Sequence, residues 1–347
     1  MKIHFIIPGE LEQLTGGYIY DRKIITGLSE RGYRVVLHNP GNDFPFPGRE
    51  SLDQYHKILK AIEPGETVII DSLALGPAEE IISLFSAQNP MVALMHLPLF
   101  MNPSFNEKEK KFFKFQETRA LSKMRVIIAV SRHTKQMIQK CGINPSLIQV
   151  INPQAESLKR KENYPVAPRN LLCVANYTRN KGHSMLIEAL VDLKNPDWIM
   201  RCYGDQTMER DYFAKMRQMV NSYGLENRIL LNGPWPHEAL PEVYRSSDLF
   251  ILPSEYESYP MVLAEALVYG IPVVAAKAGG IPEVVPEGAG ILFKPRSIDS
   301  LRAAINEVIG NNGLYKNLCH KAAGYYKSTY CWDHNIDRFE QILKSII

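Results

Sequence analysis

Short apolar runs alternating with longer amphipathic stretches predict an α/β protein built from two doubly wound, Rossmann-like domains. Two further observations support that class. The length of 347 residues suits about two domains. The rhythm of strand, glycine-containing loop and helix opens each half of the chain, on either side of the proline- and charge-rich stretch Asn152–Pro168.

In the first half the predicted strands are Ile3–Ile7, Val35–His38, Thr67–Asp71, Met91–Met95 and Val126–Val130. Helices are expected over Tyr18–Arg31, Ser51–Ile62, Ala78–Ser86 and Glu107–Lys123. In the second half strands are expected at Asn170–Val174, Trp198–Tyr203, Ile229–Leu231, Leu249–Leu252 and Pro272–Ala275, with helices beginning near Gly182, Met208, Leu240 and Pro260. The domains are therefore 1–155 and 169–330, joined by a linker at 156–168, and 331–347 is a final amphipathic helix.

Composition excludes several classes. A formal net charge of +3 is too small to imply nucleic-acid binding, and 45% hydrophobic with 22% charged residues is ordinary for a soluble globular protein. Five cysteines with no CxxC pair argue for a reducing cytosol over a disulfide framework or zinc site. The opening apolar run is too short for a signal peptide, and no stretch approaches about 20 apolar residues.

Doubly wound domains bind ligands at the carboxyl ends of their strands, in the cleft between two such domains, so the loops there are the candidates. In the first, Pro8–Asp21, Gly16 and Gly17 precede a helix and let a phosphate approach the backbone, although a flexible turn explains them equally. No GxGxxG comes after the strand. In Val174–Leu190, Arg179 and Lys181 can bind and neutralise a diphosphate, or form a solvated basic loop. Trp235, between two prolines, can stack on a nucleobase or anchor a domain surface.

Pro253–Val285 is the most informative stretch. Ser258 is a candidate N-cap and Pro260 suits the first turn, which would leave the amides of Tyr259, Met261 and Val262 open to phosphate. Glu265 lies inside an otherwise apolar helix, and a carboxylate there needs a partner or a function. Glu257 stands eight residues earlier, in the loop.

This segment resembles the signature of the retaining glycosyltransferases of the GT-B fold, family four, also called the glycosyltransferase group 1 domain. Glu257…Glu265 matches the E-x7-E motif, and Gly270-Ile271-Pro272-Val273-Val274 with Gly279-Gly280-Ile281-Pro282-Glu283 matches the family's glycine-proline pattern on the C-terminal side of that motif. Thr15-Gly16-Gly17, Val130-Ser131, Lys181-Gly182, Tyr203-Gly204-Asp205 and Asp248…Pro253-Ser254 extend the resemblance over nearly the whole chain. It implies an acceptor-binding N-terminal domain, a nucleotide-sugar-binding C-terminal domain and a last helix that crosses back to the first. It places Glu265 on the donor ribose, Glu257 near the donor sugar and Lys181 on the diphosphate, and His96 resembles a histidine near that sugar. The arginine usual five residues before the lysine is replaced by Asn176, and Arg179 could supply its charge. Ser258-Tyr259 stand in place of Gly-Phe, and Asn152-Pro153 in place of Asn-Gly.

The implied reaction moves a hexose from a UDP, GDP or ADP sugar with retention of configuration, by front-face attack and without a required metal or tightly bound cofactor. A GT-B sugar-nucleotide epimerase or a non-catalytic sugar-nucleotide binder is the alternative. The acceptor is a glycan, a small molecule or a lipid-linked sugar. Phe105–Arg125 interleaves seven Lys or Arg with phenylalanines. Such a helix can lie on an anionic bilayer, at the cytoplasmic face of the membrane, or can bury its phenylalanines on the sheet and leave its lysines in water.

Overall fold

The computed structural model describes residues 1–13, 15–155, 164–193, 197–235, 239–325 and 332–346. Most of the expected linker, at 156–163, and the first residue of the expected final segment, Cys331, lie outside them. The chain divides into two compact units, one formed by residues 1–153 with the last helix, the other by 154–331.

In chain order the first unit contains β1 (Lys2–Ile6), α1 (Gly16–Glu30), β2 (Arg34–His38), α2 (Arg49–Ala61), β3 (Thr67–Asp71), α3 (Ser72–Leu75), α4 (Glu79–Phe85), β4 (Met91–Met95), α5 (Glu107–Leu121), β5 (Val126–Ala129), α6 (Arg132–Gln139) and β6 (Ile148–Val150). The second contains β7 (Asn170–Val174), α7 (His183–Val191), β8 (Ile199–Tyr203), α8 (Arg210–Ser222), β9 (Ile229–Asn232), α9 (Leu240–Arg245), β10 (Leu249–Leu252), α10 (Met261–Val268), β11 (Val273–Ala276), α11 (Ile281–Val284), β12 (Gly290–Phe293), α12 (Ile298–Gly310) and α13 (Asn312–Tyr325). The chain closes with α14 (Trp332–Ser345).

Each unit has one six-stranded sheet whose paired strands are all parallel. The orders are β2-β1-β3-β4-β5-β6 and β12-β11-β10-β7-β8-β9. The central strands β3, β4, β5, β10 and β11 are buried at every position, as sheets covered by helices on both faces require. The edge strand β2 is fully buried at no position and exposes Arg34 and Leu37.

The direction of winding reverses once in each sheet. In the first the chain leaves β1 for β2 on one side and returns as β3 on the other. In the second it runs outward through β7, β8 and β9 and returns as β10 on the far side of β7. At such a switch point adjacent loops diverge and leave a crevice above the strand ends. The crevices lie after β1 and β3, and after β7 and β10.

The last helix belongs to the first unit. Ile336, Phe339 and Leu343 of α14 share a core with Tyr20, Ile24 and Leu28 of α1. The two helices approach so closely that a Cβ on Gly27 would lie 1.9 Å from Ile336 Cδ1. The Asn335 amide donates to the Asn152 carbonyl at 2.7 Å, and the Asn152 amide donates to Val130 O at 2.9 Å, so Asn152 is held through both its backbone and its side chain.

The basic aromatic helix divides its phenylalanines. Phe113 is buried with its ring against Phe46 and Phe105, whereas Phe112 and Phe115 are 56% and 60% exposed. Glu117 is fully buried and accepts the amides of Leu99 and Phe100 at 2.8 and 3.2 Å. Burial drives its carboxyl up to about 8, against the pull of those two amides.

Candidate functional site

At the switch point of the second unit, three loops carry the predicted residues and lace together through backbone. The loop after β7 holds Arg179 and Lys181 in a short 3-10 turn that ends at Gly182, in the left-handed region at φ 73°. A side chain there would also meet the Pro253 carbonyl oxygen at 2.4 Å. The amide of Glu255, in the loop after β10, donates to Asn180 O at 2.8 Å. The loop after β11 closes on the same segment. Gly280 N donates to Glu257 O at 2.7 Å, and a Cβ on Gly279, at φ 55°, would strike that oxygen at 2.1 Å. The glycines of both motifs thus clamp the loop that carries Glu257.

The result joins two residues 76 apart in sequence. Lys181 Nζ donates to Glu257 Oε1 at 2.6 Å, with side-chain exposures of 25% and 13%. Glu265, on α10, accepts a 2.6 Å hydrogen bond from the Tyr244 hydroxyl of α9. Burial, with the Glu265 charge adding to it, keeps the Tyr244 phenol protonated far above its ordinary range. The carboxylate in the apolar helix has a partner on a separate element, which no local pattern in the sequence announces.

One expectation is corrected. Ser258 does not cap α10: the helix begins at Met261, the cap position is Pro260 at φ −81° and ψ 90°, and no side-chain cap bond forms. The cause is Pro260 itself. It holds the preceding residue, Tyr259, out of helical conformation, so the first turn starts after the proline instead of containing it. The Pro260 carbonyl receives Leu263 N and Ala264 N. The amides of Met261 and Val262 precede any intrahelical acceptor and are the donors this helix end can offer.

Arg179 turns to α8. Its guanidinium pairs with Glu209 at 3.3 Å and lies 5.6 Å from the Tyr212 ring centre, with 69% of the side chain exposed. Asn176, where the resemblance leads one to expect arginine, accepts the Asp205 amide at 3.1 Å and so braces the neighbouring Gly-Asp turn. Trp235 is 40% exposed and meets Tyr203 edge-on with ring centres 5.1 Å apart. Residues 236–238 of its loop lie outside the described residues.

The first unit has its own cluster at its switch point. Gly16 and Gly17 open α1 behind Thr15, whose side chain makes no cap bond. A Cβ on Gly17 would come within 3.3 Å of His96 Cδ2, so the glycine lets the imidazole lie against the helix. His96 Nε2 pairs with Asp21 Oδ1 at 2.8 Å and stands 3.4 Å from Asp71 Oδ2. Asp71 also caps α3 through the Leu73 amide at 2.7 Å. Burial alone would lower His96, but the Asp21 charge and hydrogen bond, with Asp71 behind them, outweigh it and hold the imidazole at about 9. Burial pushes Asp71 up, and the Asp21 charge adds to that. Tyr18, whose hydroxyl donates to Pro8 O at 2.7 Å, is raised to about 12 by burial and then by the two aspartates.

Sequence reasoning singled out His96 and missed both aspartates. Asp71 had one readable signal, an acid at the end of the wholly apolar run Val68–Ile70. Asp21 had none. Among the described residues, Asp21, Asp71 and His96 are also the group with metal-ligand spacing, their atoms lying within 4.8 Å of one another.

Residues 154–325 match the family described as glycosyl transferases group 1. Mannosylfructose-phosphate synthase of Agrobacterium fabrum is 28% identical over 169 residues, 47% of this chain and 37% of that protein. D-inositol 3-phosphate glycosyltransferase of Mycobacterium marinum is 26% identical over 228 residues, 61% of this chain and 48% of that one. The chain spans about half or less of the length of these curated relatives. Among solved structures, sucrose-phosphate synthase of Thermosynechococcus elongatus superposes with a TM-score of 0.82 at 19% identity, over 99% of this chain and 98% of that one. Anabaena HepE in complex with UDP-glucose superposes with a TM-score of 0.79 at 20% identity, over 99% and 100%. The fold is the two-domain α/β architecture of the GT-B glycosyltransferases.

Proposed function

Because residues 154–325 match the family described as glycosyl transferases group 1, we propose that the chain moves a hexose from a nucleoside-diphosphate sugar to an acceptor hydroxyl with retention of anomeric configuration. The observation that carries the reading is the Lys181–Glu257 pair at 2.6 Å, set at a sheet switch point with Glu265 eight residues on.

In this reading the donor diphosphate takes Lys181 and the first amides of α10, because a helix N-terminus and an ammonium both favour phosphate oxygens. Glu257, released from the lysine, accepts hydroxyls of the sugar. Glu265, oriented by Tyr244, accepts those of the ribose. The bond from the anomeric carbon to the β-phosphate oxygen breaks, and Lys181 neutralises the charge growing on that oxygen. Such stabilisation is the largest single contribution in reactions of this type. The acceptor hydroxyl attacks from the face the phosphate leaves, and its proton passes to the departing phosphate.

HepE was solved with UDP-glucose, which makes that the first donor to test. Thermal shifts with UDP, GDP and ADP and their glucose derivatives identify the base, since a ligand specific for the folded state stabilises it in proportion to RT ln(1 + [L]/Kd). Proton NMR of the product then reads the anomeric configuration. An inverted product rejects retention. Equal indifference to every nucleotide rejects the donor site.

The acceptor part of the reading rests on α5. Its Phe112 and Phe115 stay in solvent beside exposed lysines, the arrangement of a helix that docks on an anionic bilayer and admits a lipid-linked acceptor there. Among the described residues no helix is long and apolar enough to cross a membrane, so the contact would be peripheral, at the cytoplasmic face.

A further inference from the structure

We propose that Asp21 and Asp71 are positioning residues that hold His96 by Nε2 and keep it an imidazolium, so that Nδ1–H is an obligatory donor to a substrate oxygen. The inference rests on the sugar-transfer reading for the identity of that oxygen, and on the first unit's geometry for everything else.

Three observations carry it. Asp21 is fully buried on α1, and one of its oxygens is 2.8 Å from His96 Nε2 while the other, Oδ2, has no hydrogen-bond partner. Asp71 approaches the same nitrogen from the end of β3 at 3.4 Å. The ring lies against Gly17 at the head of α1, where the partial positive charge of the helix end disfavours a cation. Two buried acids converging on one ring nitrogen offset that cost when the ring carries a net positive charge, with a proton on both nitrogens, because their charges as well as the hydrogen bond then act on it. A neutral imidazole that donated from Nε2 would leave Nδ1 an acceptor. An imidazolium makes Nδ1 a donor as well.

Among the described residues, three phenols stand around the triad, and the Arg338 guanidinium of α14 acts on one of them, Tyr20. Tyr18 and Tyr20 come from α1, the latter edge-on to His96 with ring centres 5.4 Å apart, and Tyr55 comes from α2. Burial raises all three first, and the aspartates raise them further, so they stay neutral through the physiological range. The triad has metal-ligand spacing, but the proton on Nε2 already does what a cation would do between the two acids. Oxygen acceptors of the substrate, a sugar hydroxyl or a phosphate oxygen, suit a fixed N–H donor. A substrate group that must itself donate a hydrogen bond is excluded.

The test is a titration of histidine-labelled protein by 15N NMR, with His96 assigned from His96→Gln. Wild-type His96 should remain protonated well above the ordinary value near 6.5, and Asp21→Asn should return it to that value or below. A wild-type titration at or below about 6.5 overturns the proposal. In the transfer assay, Asp21→Asn should lose about tenfold in kcat/KM at pH 7.5, the fraction of imidazolium left one unit above an ordinary histidine pKa. It should recover most of the loss near pH 5.5, where the ring is protonated again without its clamp. A deficit that is the same at both pH values would mark Asp21 as merely structural. If Asp21→Asn does not fold, Asp71→Asn, which keeps the shorter pair, should give the same pattern more weakly. Absence of any sugar transfer by the wild type would reject the sugar-transfer reading and leave the titration as the decisive measurement.

Discussion

At the switch point of the second sheet a lysine and a glutamate pair at 2.6 Å and keep 25% and 13% of their side chains in solvent. At that of the first sheet an imidazole sits between two aspartates whose side chains keep 1% and 6%. Both clusters sit at a switch point of a parallel sheet, and the electrostatics differ. A partly solvated pair costs little to exchange, since a diphosphate can take the lysine and a sugar hydroxyl the glutamate with water present at each stage. A buried triad cannot be taken apart cheaply, because each released charge would be left in low dielectric. On the proposed reading the second unit therefore suits ligands that replace an internal contact, and the first a fixed group that ligands meet as they find it.

Removing the lysine is the sharpest way to break that contrast. Lys181→Ala should lower kcat by roughly a hundred- to a thousandfold, the loss typical of deleting one preorganised stabiliser of a leaving group. It should barely alter the melting temperature, because the pair it breaks is part-exposed. A near-normal turnover would remove Lys181 from the reaction. A large loss of stability with it would make the pair structural.

A change in the first unit should do the reverse. Gly27→Leu sets a side chain where Ile336 Cδ1 lies 1.9 Å from the position of a Cβ. Overpacking of this kind costs about 1–3 kcal/mol, and the loss should appear in urea unfolding of the part of the protein that contains α14. Nucleotide affinity should stay close to wild type. If unfolding is unchanged, the contact between α1 and α14 contributes nothing measurable.

The same contrast explains how much of the molecule is legible in its sequence. Lys181 apart, which stands 76 residues before Glu257, the second unit's residues lie close together in the chain. Glu257, Gly279 and Gly280 fall within 24 residues, in a pattern of glycines and prolines that only a tight loop at a strand end needs. The alternation of apolar runs is likewise enough to place ten strands. It misses β6 and β12, the latter because part-buried Gly290–Leu292 lacks the continuous apolar run of a central strand, and it does not place α3, α11, α12 and α13. Tyr244 stays hidden because its partner, Glu265, is 21 residues away on another helix. Asp21, Asp71 and His96 are spread over 75 positions on three elements, and only the parallel order β1-β3-β4 brings them together. Ser258 misleads because Ser-x-Pro satisfies two helix-start rules that compete, and the proline's restriction of its neighbour wins.

Tyr244 offers a finer cut within the second unit. Tyr244→Phe removes the 2.6 Å bond to Glu265 and leaves the carboxylate in place. Hydrogen bonds to charged groups contribute about 1.5–3 kcal/mol when fully buried. Glu265 is only part-buried, so the expected effect falls below that range, a rise of roughly three- to tenfold in Kd for the nucleotide by calorimetry. Turnover at saturating donor should change less, since the bond acts on binding. An equal fall in kcat would place Glu265 at the reacting centre instead of at the ribose.

The smallest effect concerns α5, which the proposed reading sets against the carrier of the acceptor. Phe112→Ser with Phe115→Ser removes two rings that are more than half exposed and leaves Phe113 in the core, so stability should hold within about 0.5 kcal/mol. Co-sedimentation with vesicles containing an anionic lipid should weaken severalfold at low salt, and soluble acceptors, if the enzyme uses them, should be glycosylated as before. Added salt should release the wild type as well, because lysines at the headgroups are screened within about 10 Å at 0.1 M. If wild type and variant fail alike to sediment at low salt, the exposed phenylalanines serve some other contact, and the acceptor reaches the protein from solution.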